Sequence, residues 1–132
     1  MAMELTNTQL QQLKSALRER RTGLLESIRR QLLDADKPSY TELAGAVHDL
    51  EDESVATLLE DLDHSQLSHH VEEVHEIEAA LQRVAEGNYG YCVDCGQEIE
   101  YRRLLAQPTA RRCLDDQAKH ERTFRGAERP TL

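Results

Sequence analysis

The chain is expected to be mainly α, a long antiparallel helical hairpin or coiled coil with a small cysteine-bearing module and a short helix at its C-terminal end. Three observations lead there. Aromatic residues make up 4% of the 132, with no Trp and the single Phe at Phe124. So few rings cannot fill a large mixed core, whereas Leu, Ala and Glu build long helices without them. Apolar residues recur in steps of three, four and seven through the first two thirds of the chain, the spacing of one helix face. All three cysteines lie between positions 92 and 113, where that periodicity stops.

The first helix should run from Thr6 to Leu33, with Leu10, Leu13, Leu17, Leu24, Leu25, Ile28, Leu32 and Leu33 on its apolar face. Thr6-Asn-Thr-Gln9 has the form of a capping box, which satisfies two free N–H groups at the start. Asp34 to Pro38 is a stop, because proline lacks an N–H and crowds the preceding turn. Ser39-Tyr-Thr-Glu42 is a second capping-box candidate, followed by Leu43, Ala46, Val47 and Leu50. A further stripe holds Val55, Leu58, Leu59 and Leu62, then Leu67, Val71, Val74, Ile77, Leu81 and Val84. The step of five between Leu62 and Leu67 predicts a kink near Asp63 to Ser65. Gly87-Asn88 ends this helix, since glycine tolerates the left-handed conformation needed there. Two such helices joined by a short turn bury their stripes together. The expected division is a hairpin over 1–87 with its tip near 36–54, a cysteine module with its helix over 88–124, and a flexible tail over 125–132.

Charge is unevenly spread along the chain. Residues 36–87 carry 2 basic and 14 acidic residues, a net of −12, whereas residues 1–35 carry +2 and residues 88–132 carry +1. The hairpin tip is therefore the acidic end, and such a field repels phosphate backbones. Direct sequence-specific nucleic-acid binding is not expected. No apolar run of about 18 residues suits a membrane span, and Met1 to Leu10 lacks the basic and apolar regions of a secretory signal. A cytoplasmic monomer is expected. No phosphate-cradling glycine loop or catalytic Ser-His-Asp set is found, so the chain is not expected to be an enzyme. His64, His69, His70 and His75 lack a helical i, i+4 pairing and read as helix surface.

The cysteines carry the chemistry. Cys92-Val-Asp-Cys95 precedes Gly96, and Cys113-Leu-Asp-Asp116 follows after seventeen intervening residues. This is the layout of a zinc ribbon, C-x2-C-x17-C-x2-C, with Asp in the last position. A C-x2-C knuckle aims two thiolates at one metal, and Gly96 lets the backbone turn beneath them. Three readings compete. Zn2+ could be held by Cys92, Cys95, Cys113 and either Asp116 or another donor such as His120. The module could hold without metal. Cys92 and Cys95 could form a redox pair.

Tyr89-Gly-Tyr-Cys-Val-Asp-Cys-Gly96, Ile99, Arg102-Arg103-Leu104, Pro108-Thr109-Ala110 and Cys113 resemble the DksA/TraR family of bacterial regulators. The resemblance implies a coiled coil that enters the secondary channel of RNA polymerase and modulates initiation, together with a zinc finger. The family's tip motif, D-x-x-D-x-A, falls on Asp49, Asp52 and Ser54, with Ser in place of Ala. The fourth metal ligand falls on Asp116. The family's basic contacts to the alarmone ppGpp fall on Glu76, Gln107 and Gln117. Like charge at Glu76 repels a pyrophosphate, so little ppGpp dependence is expected. A zinc or thiol-redox sensor, using the cysteine module with the hairpin as a dimerisation arm, is the alternative.

Overall fold

The structure, a computed structural model, describes residues 5–35, 37–49 and 65–128. These residues hold helices α1 (Asn7–Asp34), α2 (Pro38–Asp49), α3 (Ser65–Glu86), α4 (Tyr101–Ala106) and α5 (Leu114–Glu128). The fold is mainly helical, as expected. No described helix is long and apolar enough to cross a membrane.

The capping box at the start of α1 is present. The Gln9 N–H donates to Thr6 Oγ1 at 3.1 Å, and the Thr6 N–H donates to Gln9 Oε1 at 3.0 Å. The helix stops at Asp34, where the Ala35 N–H closes the last turn on the Gln31 carbonyl at 3.2 Å. The second capping box does not form as expected. Helix α2 starts at Pro38, one residue before Ser39. Proline is suited to a first helical position because its fixed φ matches and its missing N–H is not needed. The carbonyl of Lys37 then accepts from the Tyr40 and Thr41 N–H groups, both at 3.0 Å.

Helix α1 is the axis of the core. Its buried Leu13, Leu17, Leu24, Leu25, Ile28 and Leu32 meet Leu67, Val71, Val74, Ile77 and Ala80 of α3. The start of α1 lies beside the residues that follow α3, so the two helices run antiparallel. Helix α2 also packs on α1, burying Ala44 and Val47, with Tyr40 and Leu43 partly covered. The hairpin is thus thickened by a helix that doubles back after Pro38. Asp49 is the last residue of α2, while Asp52, Ser54 and the expected kink at 63–64 lie outside the described residues. At the other end, α5 continues to Glu128, four residues into the segment expected to be tail, because the backbone ladder of an established helix extends at little cost per residue.

One buried position breaks the apolar stripe. Between Leu17 and Leu24 the slot is filled by Arg21, which is 8% exposed. Its Nε and Nη2 both donate to Glu78 Oε2 of α3, at 3.1 and 2.9 Å. The neighbouring Arg20–Glu73 pair is bidentate but lies at the surface, where such pairs contribute little.

The base of the hairpin holds the cysteine module. Gly90 has φ +92°, and a Cβ there would sit 3.0 Å from Leu5 Cδ1, so the chain just before α1 rests on the module's first turn. The Tyr101 hydroxyl donates to Gln12 Oε1 of α1 at 2.7 Å. Leu104 of α4 is fully buried.

Removing Arg21 alone takes the guanidinium away from a largely buried carboxylate. Arg21→Ala is expected to cost about 3 kcal/mol, read as a fall in the urea midpoint. Replacing both partners together, as Arg21→Met with Glu78→Leu, should restore most of that loss. Equal losses in the single and double variants would show that the pair contributes nothing beyond its volume.

Candidate metal centre

Two knuckles face each other. The first is a tight turn after Tyr91, whose backbone bridges to Glu98. Within it the Cys92 N–H donates to the Gln97 carbonyl at 2.7 Å and the Gly96 N–H to the Cys92 carbonyl at 2.9 Å. Gly96 adopts φ +75°, a conformation that costs a side-chain-bearing residue about 1–2 kcal/mol. The second knuckle is the entry to α5: Cys113 precedes the helix and Asp116 lies in its first turn, where the helix dipole favours a carboxylate. The Val93 N–H donates to the Arg111 carbonyl at 2.9 Å, and Arg112 Nε to Asp94 Oδ2 at 2.8 Å. These two bonds join the knuckles.

The result is one cluster. A ligand atom from each of Cys92, Cys95, Cys113 and Asp116 lies within 4.8 Å of the other three. Cys95 Sγ and Cys113 Sγ are 3.9 Å apart, and Cys92 Sγ lies 3.1 Å from Asp116 Oδ2. Two sulfurs on one tetrahedral zinc, each at 2.3 Å, would be about 3.8 Å apart. All three thiols are free, so the group is not a disulfide. His120 is not in the cluster, and the described histidines of α2 and α3 join no comparable group.

The electrostatics of the cluster fit a cation. Burial pushes the Cys92 thiol up, but backbone N–H groups of Cys113, Cys95 and Asp94 aimed at its sulfur outweigh this and hold it below its ordinary value. The Cys95 thiol, donating to the Asp116 carboxylate, is pushed up to about 12. Hydrogen bonds from Cys95, Cys92 and Cys113 hold Asp116 below the usual carboxylate range. Four anions cannot gather here without a counter-charge, so protons on the sulfurs supply it. A divalent ion would take the protons' place, and three thiolates with one carboxylate are a legitimate zinc set.

The two arginine pairs of the module separate on folding. Arg103 Nε donates to the Arg112 carbonyl at 2.9 Å, and Arg112 holds Asp94 as described, so both are internal ties. Arg102 and Arg111 are exposed. Glu76 and Gln107 are also exposed, and Gln117 Nε2 donates to Glu121 at 3.1 Å. The sequence did not distinguish inner from outer arginines, because adjacent positions in a turn carry no periodicity to read.

Comparison with known proteins matches residues 87–122 to the family described as the prokaryotic dksA/traR C4-type zinc finger. A protein named RNA polymerase-binding transcription factor DksA, from Caulobacter vibrioides, is 44% identical over 52 residues, 39% of this chain and 37% of that protein. The protein of the same name from Escherichia coli K12 is 48% identical over 42 residues, 32% of this chain and 28% of its own length. The matched segments thus span 37% and 28% of these relatives. The likeness extends further in three dimensions. The structure of transcription factor DksA2 from Pseudomonas aeruginosa superposes with a TM-score of 0.62 at 26% identity, covering 92% of this chain and 89% of that one. Finger residues and overall shape thus agree with those of the DksA/TraR family, with Asp116 where a four-cysteine finger has its last thiol.

Proposed function

We propose that this chain is a transcription regulator, not an enzyme, that binds RNA polymerase and modulates initiation with little dependence on ppGpp. The observation that carries the reading is the finger, built from the family's own residues, clamped to the base of a long antiparallel hairpin. The names of the relatives supply the partner. The secondary channel is the docking place that suits a narrow helical rod, and the family's tip motif assigns Asp49, Asp52 and Ser54 to its active-centre end. The exposed carboxylate of Glu76 and the neutral side chains of Gln107 and Gln117 offer a pyrophosphate no cationic partner. In the finger, Cys92, Cys95, Cys113 and Asp116 hold Zn2+, which ties the two knuckles together.

Binding to core RNA polymerase is expected at about micromolar affinity or tighter, in competition with other factors that enter the secondary channel. Absence of binding well above that range overturns the reading. Asp49→Asn should leave the fold intact, since a carboxylate at the end of α2 opposes the helix dipole. Together with Asp52→Asn it should reduce the effect on transcription while polymerase binding survives. In an assay on polymerase lacking other alarmone sites, ppGpp should change this protein's effect little.

Zinc should leave this finger at milder acidity than it leaves the Asp116→Cys variant, because the carboxylate is the harder ligand and protons compete for the thiolates. In chelator competition, the variant should retain zinc more tightly by at least the roughly tenfold that even outer-shell changes produce. Cys113→Ser should lose the metal while the far-ultraviolet signal of the hairpin persists. A folded protein prepared with zinc but containing none would remove Asp116 from the ligand set.

A further inference from the structure

Two of the chain's arginines have buried guanidinium nitrogens and opposite circumstances. Arg21 meets Glu78 inside the seam. Arg83, in the last turn of α3, does not have such a partner: its Nη2 is sealed from solvent and meets no hydrogen-bond acceptor among the described residues. What faces it makes matters worse. The Arg83 carbonyl accepts from the Asn88 N–H at 3.0 Å, and the next residue, Tyr89, is buried with its hydroxyl donating to the Pro108 carbonyl at 2.7 Å. That bond draws the loop before the second knuckle against the end of α3. Arg111 comes with it, held by its carbonyl on the Val93 N–H. Burial and the field of Arg111 both oppose the charge on Arg83. Tyr89 does not compensate, since burial pushes its phenol up to about 12 and leaves it neutral. Neither Arg83 nor Arg111 joins an ion pair among the described residues.

A guanidinium nitrogen sealed off without an acceptor is costly, and a second cation nearby adds to the cost. Both terms change sign when an oxyanion arrives, because guanidinium groups present their N–H donors in the geometry that phosphate oxygens accept. The charge also selects the ligand. Two guanidinium groups match a phosphate monoester, which carries about −1.5 to −2 charges at pH 7, better than a carboxylate. We propose that Arg83 and Arg111 form a binding site for a phosphate group at the junction of α3 and the finger. The site uses none of Glu76, Gln107 or Gln117, and it does not depend on polymerase binding.

The test is thermal unfolding of the zinc-loaded full chain, without free zinc, in low-millimolar inorganic phosphate against chloride of equal ionic strength. The wild type should show a saturable rise in midpoint of about 3 °C in phosphate. Arg111→Gln should melt at or slightly above the wild type in chloride, because the repulsion on Arg83 is relieved, and should lose the rise. Arg83→Met should melt at or above the wild type in chloride, because the unpaired charge is gone, and should also lose the rise. A parallel titration with a nucleoside monophosphate separates the sources. A saturating rise at lower concentration than with inorganic phosphate assigns the site to nucleotides, and equal concentrations assign it to free phosphate. No rise in the wild type, or a rise that Arg111→Gln retains, overturns the proposal. If Arg83→Met fails to fold, the Arg111→Gln comparison decides alone.

Discussion

The ion pair between Arg21 and Glu78 sets the register on which the rest of the architecture depends. Leucines on two facing stripes attract one another in several alignments, since hydrophobic contact has no direction. A guanidinium in the same seam has direction, and it holds Glu78. Sliding α3 by one turn, 5.4 Å, would break both hydrogen bonds of the pair. The pair therefore contributes more to choosing an alignment than to total stability, the use for which buried polar groups are best attested. From Arg21 it is nine residues back to Gln12, and from Glu78 it is eight residues on to Glu86. Those near-equal lengths bring the start of α1 and the end of α3 to one level, where Leu5 meets Gly90 and Gln12 meets Tyr101.

The finger follows a different logic. It has little apolar volume, and Val93 and Leu114 beside its knuckles are exposed. Its order rests on backbone bonds between turns, on the Arg112–Asp94 tie and on the gathered sulfurs. The Asp116 carboxylate reaches the cluster because α5 starts where it does, so the gathered group and the helix start share a residue. A carboxylate on the first turn of a helix is stiffer than one on a loop.

Much of this was legible beforehand. The capping box at Thr6, the stop before Pro38, the face of α1 and the gathering of Cys92, Cys95, Cys113 and Asp116 all follow from local rules of spacing and side-chain chemistry. Arg21 was less visible, although the seven-residue gap between Leu17 and Leu24 marks its slot. Its partner could not be read, because pairing between helices depends on register. Helix α2 was expected as part of a simple hairpin arm, and its return onto α1 comes from how two faces pack after a short turn. The contrast between Arg83 and Arg21 is likewise invisible in one dimension, since both are single basic residues near an apolar stripe.

The contact of Leu5 with Gly90 joins positions separated by 85 residues, and the seam behind it joins Arg21 to Glu78 across 57. Helical proteins usually assemble from neighbours in sequence, whereas here α1 must wait for α3 to be made and returned. Loop closure over such distances has to precede the contacts that reward it. The finger spans only Cys92 to Asp116, so its folding is the local event. On a chain growing from its N-terminus, α1 and α2 emerge first, with the face of α1 that meets α3 uncovered. The order of synthesis therefore runs opposite to the order in which the base of the hairpin can close.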